Sequence, residues 1–477
     1  MTDQPNLSEQ PIIGAYLAVM VVLELVEIYT ALETLASFIR VMVLALPVLA
    51  LPILKLREYY LLGVSLILAV FVWRSEGDTW QTLLTGLDRS AYLASFMMLM
   101  ALLREGAITS PAVKAFGTYL TLQPPKRRFL ALFSGSHFFS VLINLGSVSL
   151  LTPFIQRGVR GDAPLDAPLD EVQQIRERRQ LAAVHRGFCW FLVWAPTAVT
   201  QAILPGLLSG IDAARLMALG FCMTLVMLAV GWLEDTLVWA KTGQRLRASG
   251  QVQAAQPPPL PRSAALSLAL VCAGLIGLTL LAKGLGGVTI VSGVMLAAPV
   301  VVIVWVWAQG SAWEHGPIAR YRQIALVSMP GFMREVVFIS CAGFIGTTGA
   351  FLVPADLLAA LVQDWAMPGW VFMLGLSVLV LIAGHIALSP ITMAVFLGSV
   401  VAHMPTVPVD ITLCALAIAA GTAISSLGAP FASAVLLLSK ASSYPTTTLT
   451  WSWNGLYTLL SVAALGALYI AITMLGV

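Results

Sequence analysis

Apolar residues occur along this chain in long runs, and short polar stretches separate them. The runs extend for about 18 to 25 residues, which is the length that a helix needs to cross the hydrocarbon core of a membrane. Apolar and polar residues do not alternate with period two, so the pattern favours helices over strands. A helix also satisfies its own backbone hydrogen bonds in lipid. The sequence therefore predicts an all-α polytopic membrane protein with about 10 to 12 spans.

The composition of the chain supports a lipid environment. Of the 477 residues, 59% are hydrophobic and only 10% are charged, and the mean hydropathy is +0.90. Charged residues in soluble domains reach about 25%. The formal net charge of +3 is too small to indicate a nucleic-acid partner. The first eleven residues contain no Lys or Arg, so we expect no signal peptide and a multi-pass protein of a bacterial-type inner cell membrane.

The chain has an internal repeat. Three elements recur in the same order: residues 96–111 and 338–354, residues 135–144 and 383–392, and residues 194–199 and 428–435. The second pair places a His before Ser and another polar residue, and the third places Ala-Pro within an apolar run. Matched interruptions of hydrophobic segments are typical of transporters with two inverted repeats and a binding site between them.

The repeats divide the chain into five predicted regions. They are N-terminal scaffold helices at 1–86, repeat 1 at 87–212 with a polar insertion at 156–184, scaffold helices at 213–308 with a Pro-rich linker at 241–262, repeat 2 at 309–445, and a C-terminal helix at 446–477. The insertion contains a short duplication, Asp-Ala-Pro-Leu at 162–165 and again at 166–169.

Basic residues give conflicting evidence about orientation. If the run 129–155 crosses the membrane once, the loops at 156–186, 241–262 and 309–335 share one side. Those loops carry most of the loop Lys and Arg, which makes that side cytoplasmic by the positive-inside rule. The basic residues at 126–128 would then lie on the opposite side, where such a cluster is unusual.

Polar residues within the membrane runs predict the binding site. Gly146 weakens a helix, Asn144 and Ser147 compete for its backbone hydrogen bonds, and Pro390 after Ser389 removes a helical N–H. We expect helix breaks there, whose free carbonyls suit a cation and whose half-helix N-terminus suits an anion. The expected substrate-binding residues are Asn144, Gly146, Ser147, Ser389, Thr392, Ser425, Ser426 and Ser433, and the expected cation-binding residues are Ile143, Asn144, Ser389 and Thr348. The alternative is that these small polar residues only hold helices together.

Other chemistry receives little support from the sequence. For His137 and His385 the sequence leaves three roles open: titration, substrate binding, or a hydrogen bond to a neighbouring helix. The five cysteines stand singly in apolar runs, so we expect no disulfide and no metal site. Nucleophile-elbow, HExxH, P-loop and dinucleotide motifs are absent from the sequence, so we expect no catalytic residues and no cofactor beyond a coupling ion, Na⁺ or H⁺. Two alternatives stay open, an integral-membrane enzyme or assembly factor acting on lipid or polysaccharide, and a channel.

Residues 91–155 resemble the first half of the divalent-anion:sodium symporter family of the ion transporter superfamily. That family has a re-entrant hairpin, a short interfacial helix with a basic end, and a helix broken at a Ser-Asn-Thr signature. The counterparts in this chain are 91–111, 113–128 and the break at 143–145, and in the second half they are the hairpin at 335–354, the segment 389–392 and the Pro-containing helix at 420–435. Asn144, Ser389 and Thr392 match the signature in residue type, so the chain resembles a divergent branch.

The resemblance implies an elevator mechanism. Hairpins and broken helices would form a moving domain, and the remaining spans would form a scaffold that often serves as a homodimer interface. It also implies an ion-coupled transporter of a small anionic organic solute, acting as a symporter or an antiporter.

Overall fold

The computed structural model describes residues 11–161, 163–164, 167–249, 258–310 and 316–475. Positions 162, 165 and 166 of the duplicated insertion and positions 250–257 of the Pro-rich linker lie outside the described residues. All regular secondary structure in the described ranges is helical. Nine of these helical segments are long and apolar enough to cross a membrane, and a tenth is a bent pair formed by Gly316–Gly331 and Met333–Phe351. The prediction of an all-α polytopic membrane protein is confirmed.

The helices are numbered in chain order. They are α1 (Pro11–Thr30), α2 (Glu33–Ala50), α3 (Leu56–Arg74), α4 (Thr79–Ile108), α5 (Pro111–Thr121), α6 (Pro125–Ile143), α7 (Gly146–Arg160), α8 (Glu171–Phe191), α9 (Val199–Leu207), α10 (Ala213–Ala248), α11 (Arg262–Gly286), α12 (Ile290–Ala308), α13 (Gly316–Gln323), α14 (Met329–Gly331), α15 (Met333–Phe351), α16 (Ala355–Asp364), α17 (Gly369–His385), α18 (Pro390–His403), α19 (Ile411–Gly428), α20 (Ser433–Ser442) and α21 (Trp453–Leu475). Short π-helical segments, Ile324–Ser328 and Thr448–Ser452, precede α14 and α21.

Helices α6 and α7 form hairpin 1, a re-entrant hairpin. The hydroxyl oxygens of Ser140 and Ser147 are 2.8 Å apart, whereas residues seven positions apart in a continuous helix are separated by about 10 Å. Helix α5 touches both arms, because Phe116 contacts Phe139 of α6 and Gly117 lies against Phe154 of α7. The chain therefore reverses at 144–145.

Helices α17 and α18 form hairpin 2 in the second half. The first residue of α17, Gly369, lies against Val409 in the loop that follows α18. Both arms thus share one base, and the chain reverses at 386–389.

Each hairpin is followed by a broken helix. Helix α8 ends at Phe191 and α9 begins at Val199, and α19 ends at Gly428 and α20 begins at Ser433. An Ala-Pro pair lies inside each break, where Pro cannot donate a helical hydrogen bond. The recurring Ala-Pro elements of the sequence therefore mark these breaks.

The two halves run in opposite directions along α10, which is 36 residues long. Arg215 near its start pairs with Asp410, which precedes α19, while Arg245 near its end pairs with Glu171 at the start of α8. Helices α8 and α19 therefore begin at opposite ends of α10. Because each hairpin begins beside the helix that follows it, the hairpins enter the structure from opposite ends, as in an inverted repeat.

Hairpins and broken helices lie one element later in each half than predicted. The expected hairpins at 91–111 and 335–354 are instead the continuous helices α4 and α15. Their glycines allow close packing rather than turns, since Gly106 abuts Trp305 and Gly346 abuts Val395. The expected helix breaks at 143–147 and 389–390 are the tips of the two hairpins.

The hairpin also removes the conflict over orientation. Because 125–160 enters and leaves at the same end, the basic residues at 126–128 lie at the same end as those at 157–179. Arg128 is close enough to Arg176 and Arg179 to interact with them electrostatically. The basic residues that the sequence placed on two opposite sides therefore lie together at one end of the molecule.

Candidate functional site

The tip of hairpin 1 is buried and touches the first helix break. Asn144 adopts φ 49° and ψ −130°, a backbone conformation that glycine adopts readily and residues with a Cβ adopt rarely. Its side-chain amide donates to the carbonyl of Thr197, within the break, at 3.4 Å. Ser147 bonds to Ser140 across the hairpin, so both polar residues predicted here contribute to the shape of the tip.

His137 braces this tip against the same break. Its Nδ1 lies 3.0 Å from the carbonyl of Gly187, and its Nε2 lies 2.9 Å from the indole nitrogen of Trp194. A carbonyl only accepts and an indole N–H only donates, so the arrangement fits a neutral imidazole protonated at Nδ1. Both ring nitrogens are thus occupied, and the geometry assigns His137 a positioning role.

A positive charge lies beside the tip. The methylene groups of Arg104, on α4, occupy the space in front of Gly146, the first residue of α7. The Arg104 guanidinium lies 5.5 Å from the ring centroid of Phe332 and has no acidic partner within ion-pair distance among the described residues. A cation next to a helix N-terminus favours an anion in the space between them.

The tip of hairpin 2 lies against the second break. A Cβ added to Gly384 would collide with the Ser425 hydroxyl and the Ala429 methyl group, so the two backbones approach closely. Ser389 caps α18 by accepting a hydrogen bond from the Ile391 amide at 3.3 Å. Pro390 then starts α18, which is the position where Pro suits a helix.

Three buried hydroxyls at the tips and breaks have no hydrogen-bond partner among the residues that the structure describes. They belong to Thr197 in the first break, Thr392 in the first turn of α18, and Ser425 in the last turn of α19. All three residues are at least nine-tenths buried. A buried hydroxyl without a hydrogen bond is costly. Ser95, Ser340, Ser399 and Ser461 also carry such hydroxyls, but Thr197, Thr392 and Ser425 are the ones that lie where a hairpin or a helix is interrupted, so they are candidate groups for binding a solute.

Crossed contacts join the two halves around this region. Helix α9 packs on hairpin 2, where Leu204 and Leu207 cover Gly398, and α20 packs on hairpin 1, where Gln156 donates to the Ser442 carbonyl at 3.1 Å. The two tips and the two breaks therefore belong to one assembly.

The other predicted site residues are distributed over several helices. Ser426 contributes its carbonyl, which accepts from His185 at 3.0 Å, and Ser433 is the half-buried first residue of α20. Ile143 ends α6. Thr348 lies on α15, bonds to the Phe344 carbonyl and packs on Gly86 of α4, so the structure does not bring it to a tip. His385 is exposed and stacks on Trp451.

The two histidines do not occupy equivalent positions. Pro124 and Pro368, which precede the hairpins, are 244 positions apart, as are Gly146 and Pro390. In this register His137 corresponds to Leu381, so the recurring His is one helical turn out of step.

Sequence reasoning missed Arg104 and a buried network on α8. In that network Arg186 pairs with Glu234 of α10 at 2.7 Å and donates to Asn454, which also contacts His185. Its signal was a charged stretch running into an apolar one at 176–191, across the predicted end of the polar insertion at 184. Among the described residues, no group of three or more His, Cys, Asp or Glu side chains could hold a metal ion.

The fold is similar to that of two solved transporters. The YdaH transporter of Alcanivorax borkumensis matches with a TM-score of 0.55 and 15% identity, over 88% of this chain and 98% of that one. MtrF of Neisseria gonorrhoeae, which is described with a class of antimetabolite efflux pumps, matches with a TM-score of 0.52 and 16% identity, over 87% and 95%. No protein-family model matches the sequence, and no curated protein matches it. At these identities the likeness shows a common fold.

Proposed function

We propose that this chain is a secondary transporter that moves a small anionic organic solute across a membrane. The observation that supports it most is the set of hydroxyls of Thr197, Thr392 and Ser425, which have no partner among the described residues and are buried at the two helix breaks and the tip of hairpin 2. Broken helices at the interface of inverted repeats are where secondary transporters bind solute and coupling ions. The fold shared with YdaH and with MtrF agrees with transport.

The charge near the tip supports an anionic solute. Arg104 lies beside the start of α7, where the helix dipole also favours negative charge. Backbone carbonyls at the ends of α6 and α19 would suit Na⁺, and an ion gradient, of Na⁺ or of H⁺, is the energy source that fits a chain without a P-loop.

The packing suggests which parts move in an elevator mechanism. Helix α10 is tied to α8 by two ion pairs, Arg179–Asp235 and Arg186–Glu234, whose separation would leave charges unpaired in a poorly hydrated place. We therefore assign α6–α10 and α17–α21 to the moving unit, and α1–α4 and α11–α15 to a scaffold that forms the homodimer interface. The resemblance to the divalent-anion:sodium symporters implies the same division between hairpins with broken helices and the remaining spans. Here α4 and α15, which were predicted to be hairpins, belong to the scaffold, and α10 and α21 join the moving part.

The enzyme hypothesis requires a histidine beside another titratable group in a groove. His137 bonds to a carbonyl and an indole, and His385 bonds to the carbonyl of Leu381 and stacks on Trp451. Neither arrangement favours catalysis over transport.

A binding screen followed by uptake tests the proposal. Purified protein is heated with a panel of small mono- and dicarboxylates, with and without Na⁺, and a solute that stabilises the folded protein in proportion to its concentration is a binding candidate. That solute, radiolabelled, is then offered to proteoliposomes under imposed Na⁺ or pH gradients. We expect gradient-driven accumulation by the wild-type protein.

Two tip variants connect uptake to the site. Asn144→Ala removes the bond to Thr197 and keeps a Cβ in the strained conformation, whereas Asn144→Gly removes the same bond and relieves the strain. We expect Asn144→Ala to lose at least about tenfold in rate, because a misplaced binding group costs about that much or more. Ser389→Ala should also slow uptake, and Ser65→Ala, on α3, is the matched control. Full activity of both Asn144→Ala and Ser389→Ala would remove the proposed site.

A further inference from the structure

Two cavities open at the end of the molecule where hairpin 1 begins, away from the candidate solute site. The larger measures about 490 Å³, and Arg160, Arg178, Trp239, Tyr444 and Trp453 contribute to its walls. The other measures about 450 Å³ and shares Arg160 with it. No Asp or Glu among the described residues lines either cavity.

The walls of the larger cavity, here called the basic cavity, are held in place by contacts among its own residues. The Arg178 guanidinium lies 5.3 Å from the Trp239 ring centroid and donates to the Ser452 carbonyl at 3.1 Å. The rings of Tyr444 and Trp453 are 4.7 Å apart. These contacts preorganise a cationic and aromatic surface.

Charge in the basic cavity is not balanced. Arg160 pairs with the buried Glu177 at 2.9 Å, but Arg178 has no carboxylate within ion-pair distance among the described residues. One positive charge is therefore available to an anion, with a second guanidinium beside it.

The basic cavity lies at a membrane surface. Trp239 ends the apolar part of α10 and Lys241 follows it, while Trp453 is the first residue of α21. Trp and Tyr beside basic residues are typical of the headgroup region of a bilayer. Below the cavity the same two helices expose apolar side chains that suit acyl chains: Leu233, Leu237, Leu456 and Leu459.

We propose that the basic cavity binds the headgroup of an anionic phospholipid. Its phosphate would bind Arg178 and Arg160, its glycerol would lie against Tyr444 and Trp453, and its acyl chains would run along α10 and α21. Such a lipid would join the end of α7 to α8, α10 and α21 at the base of hairpin 1. The inference does not depend on which solute is carried.

Lipid-dependent thermal stability tests this inference. Full-length protein in detergent is depleted of lipid and then supplied with phosphatidylglycerol or phosphatidylcholine, and native mass spectrometry counts the bound lipids. We expect phosphatidylglycerol to raise the Tm by several degrees more than phosphatidylcholine and to remain bound as one or two molecules. Arg178→Gln should lose at least half of that difference, whereas Arg74→Gln, which removes an exposed charge at the end of α3, should keep it.

A second variant tests the basic cavity independently, in case Arg178→Gln misfolds. Trp239→Leu removes the aromatic wall without changing charge, and it should weaken retention of phosphatidylglycerol in a monodisperse protein. Equal shifts from both lipids, or full retention in Arg178→Gln and Trp239→Leu, would overturn the proposal. The same protection from millimolar glycerol 3-phosphate would also overturn it, because it would assign the cavity to a soluble anion.

Discussion

The two helix breaks share a backbone plan but differ in chemistry. In the first, Gln201 donates to the Val193 carbonyl at 2.7 Å, and Thr200 donates to the Leu192 carbonyl. The first residues of α9 and α20, Val199 and Ser433, are 234 positions apart. The residues that correspond to Thr200 and Gln201 in the second break are therefore Ala434 and Val435, which carry no side-chain donor.

The hairpin tips differ in the same direction. Asn144 and His137 tie hairpin 1 to its break, and their counterparts in hairpin 2 are Leu388 and Leu381. Ile386 at the second tip is 68% exposed and Phe431 in the second break is 55% exposed, whereas Thr197 in the first break is 1% exposed. The difference indicates that polar contacts hold hairpin 1 to its break, whereas hairpin 2 has fewer of them and a more exposed tip.

The largest effect is expected where each hairpin packs on the helix that follows it. A Cβ at Gly187 would collide with the Phe133 backbone carbonyl, and one at Gly421 would lie 2.9 Å from the Ser377 backbone. Gly187→Ala should destabilise the fold by about 3 kcal/mol or more and Gly421→Ala by about 1–3 kcal/mol, the range for overpacking. Tm and monodisperse yield measure both, and equal losses would mean that the halves are equally rigid.

The two halves differ in charge at the position of Arg104. In the register of the hairpins its counterpart is Thr348, whose hydroxyl is already bonded to Phe344. Arg104→Gln should weaken the apparent affinity for an anionic solute about tenfold to a hundredfold, as loss of a hydrogen bond to a charged group does. Arg104→Lys should restore part of it. The concentration dependence of uptake measures this affinity. Wild-type affinity in the Arg104→Gln variant would show that the Arg104 charge does not bind the solute.

The histidines provide a matched pair. His137→Phe leaves the Trp194 indole without its acceptor and should cost about 1–3 kcal/mol of stability. His385→Phe changes an exposed residue that keeps its stack on Trp451, so its effect should stay within about 0.5 kcal/mol. Thermal unfolding measures the stability of both variants. A larger loss of stability in His385→Phe would mean that the histidine of hairpin 2, and not that of hairpin 1, holds its tip in place.

A modest effect is expected at the cap of hairpin 2. Ser389→Ala removes one bond to the Ile391 amide and should cost about 1 kcal/mol of stability. Because the second tip has few other polar contacts, a measurable rise in its hydrogen exchange should accompany the change. No change in exchange would show that the tip is held by packing alone.

Sequence reasoning predicted the fold class, the repeat and the interruptions of regular winding at Asn144 and Ser389, because each of these leaves a local signal. Hydropathy indicates lipid, and Gly, Asn and Pro in apolar runs indicate where regular winding stops. It did not distinguish a break within one helix from the reversal of a hairpin, since both interrupt winding at the same residues.

The rest of the site depends on contacts that the sequence does not encode locally. Thr197 lies at the candidate site because the tip of hairpin 1 contacts the first break, and Arg104 lies there because α4 passes the same tip. Glycines on α4 and α15 suggested turns but serve helix packing, which only the neighbouring helices decide.

The most direct test of the central claim is solute uptake after removal of the three unpartnered hydroxyls together. A Thr197→Val, Thr392→Val, Ser425→Ala variant is compared with Thr224→Val, a buried threonine whose hydroxyl bonds to the Trp190 carbonyl. If the hydroxyls bind the solute, the triple variant keeps or raises its Tm without ligand and loses at least about tenfold in uptake and in ligand stabilisation. Wild-type uptake by a correctly folded triple variant would contradict the account.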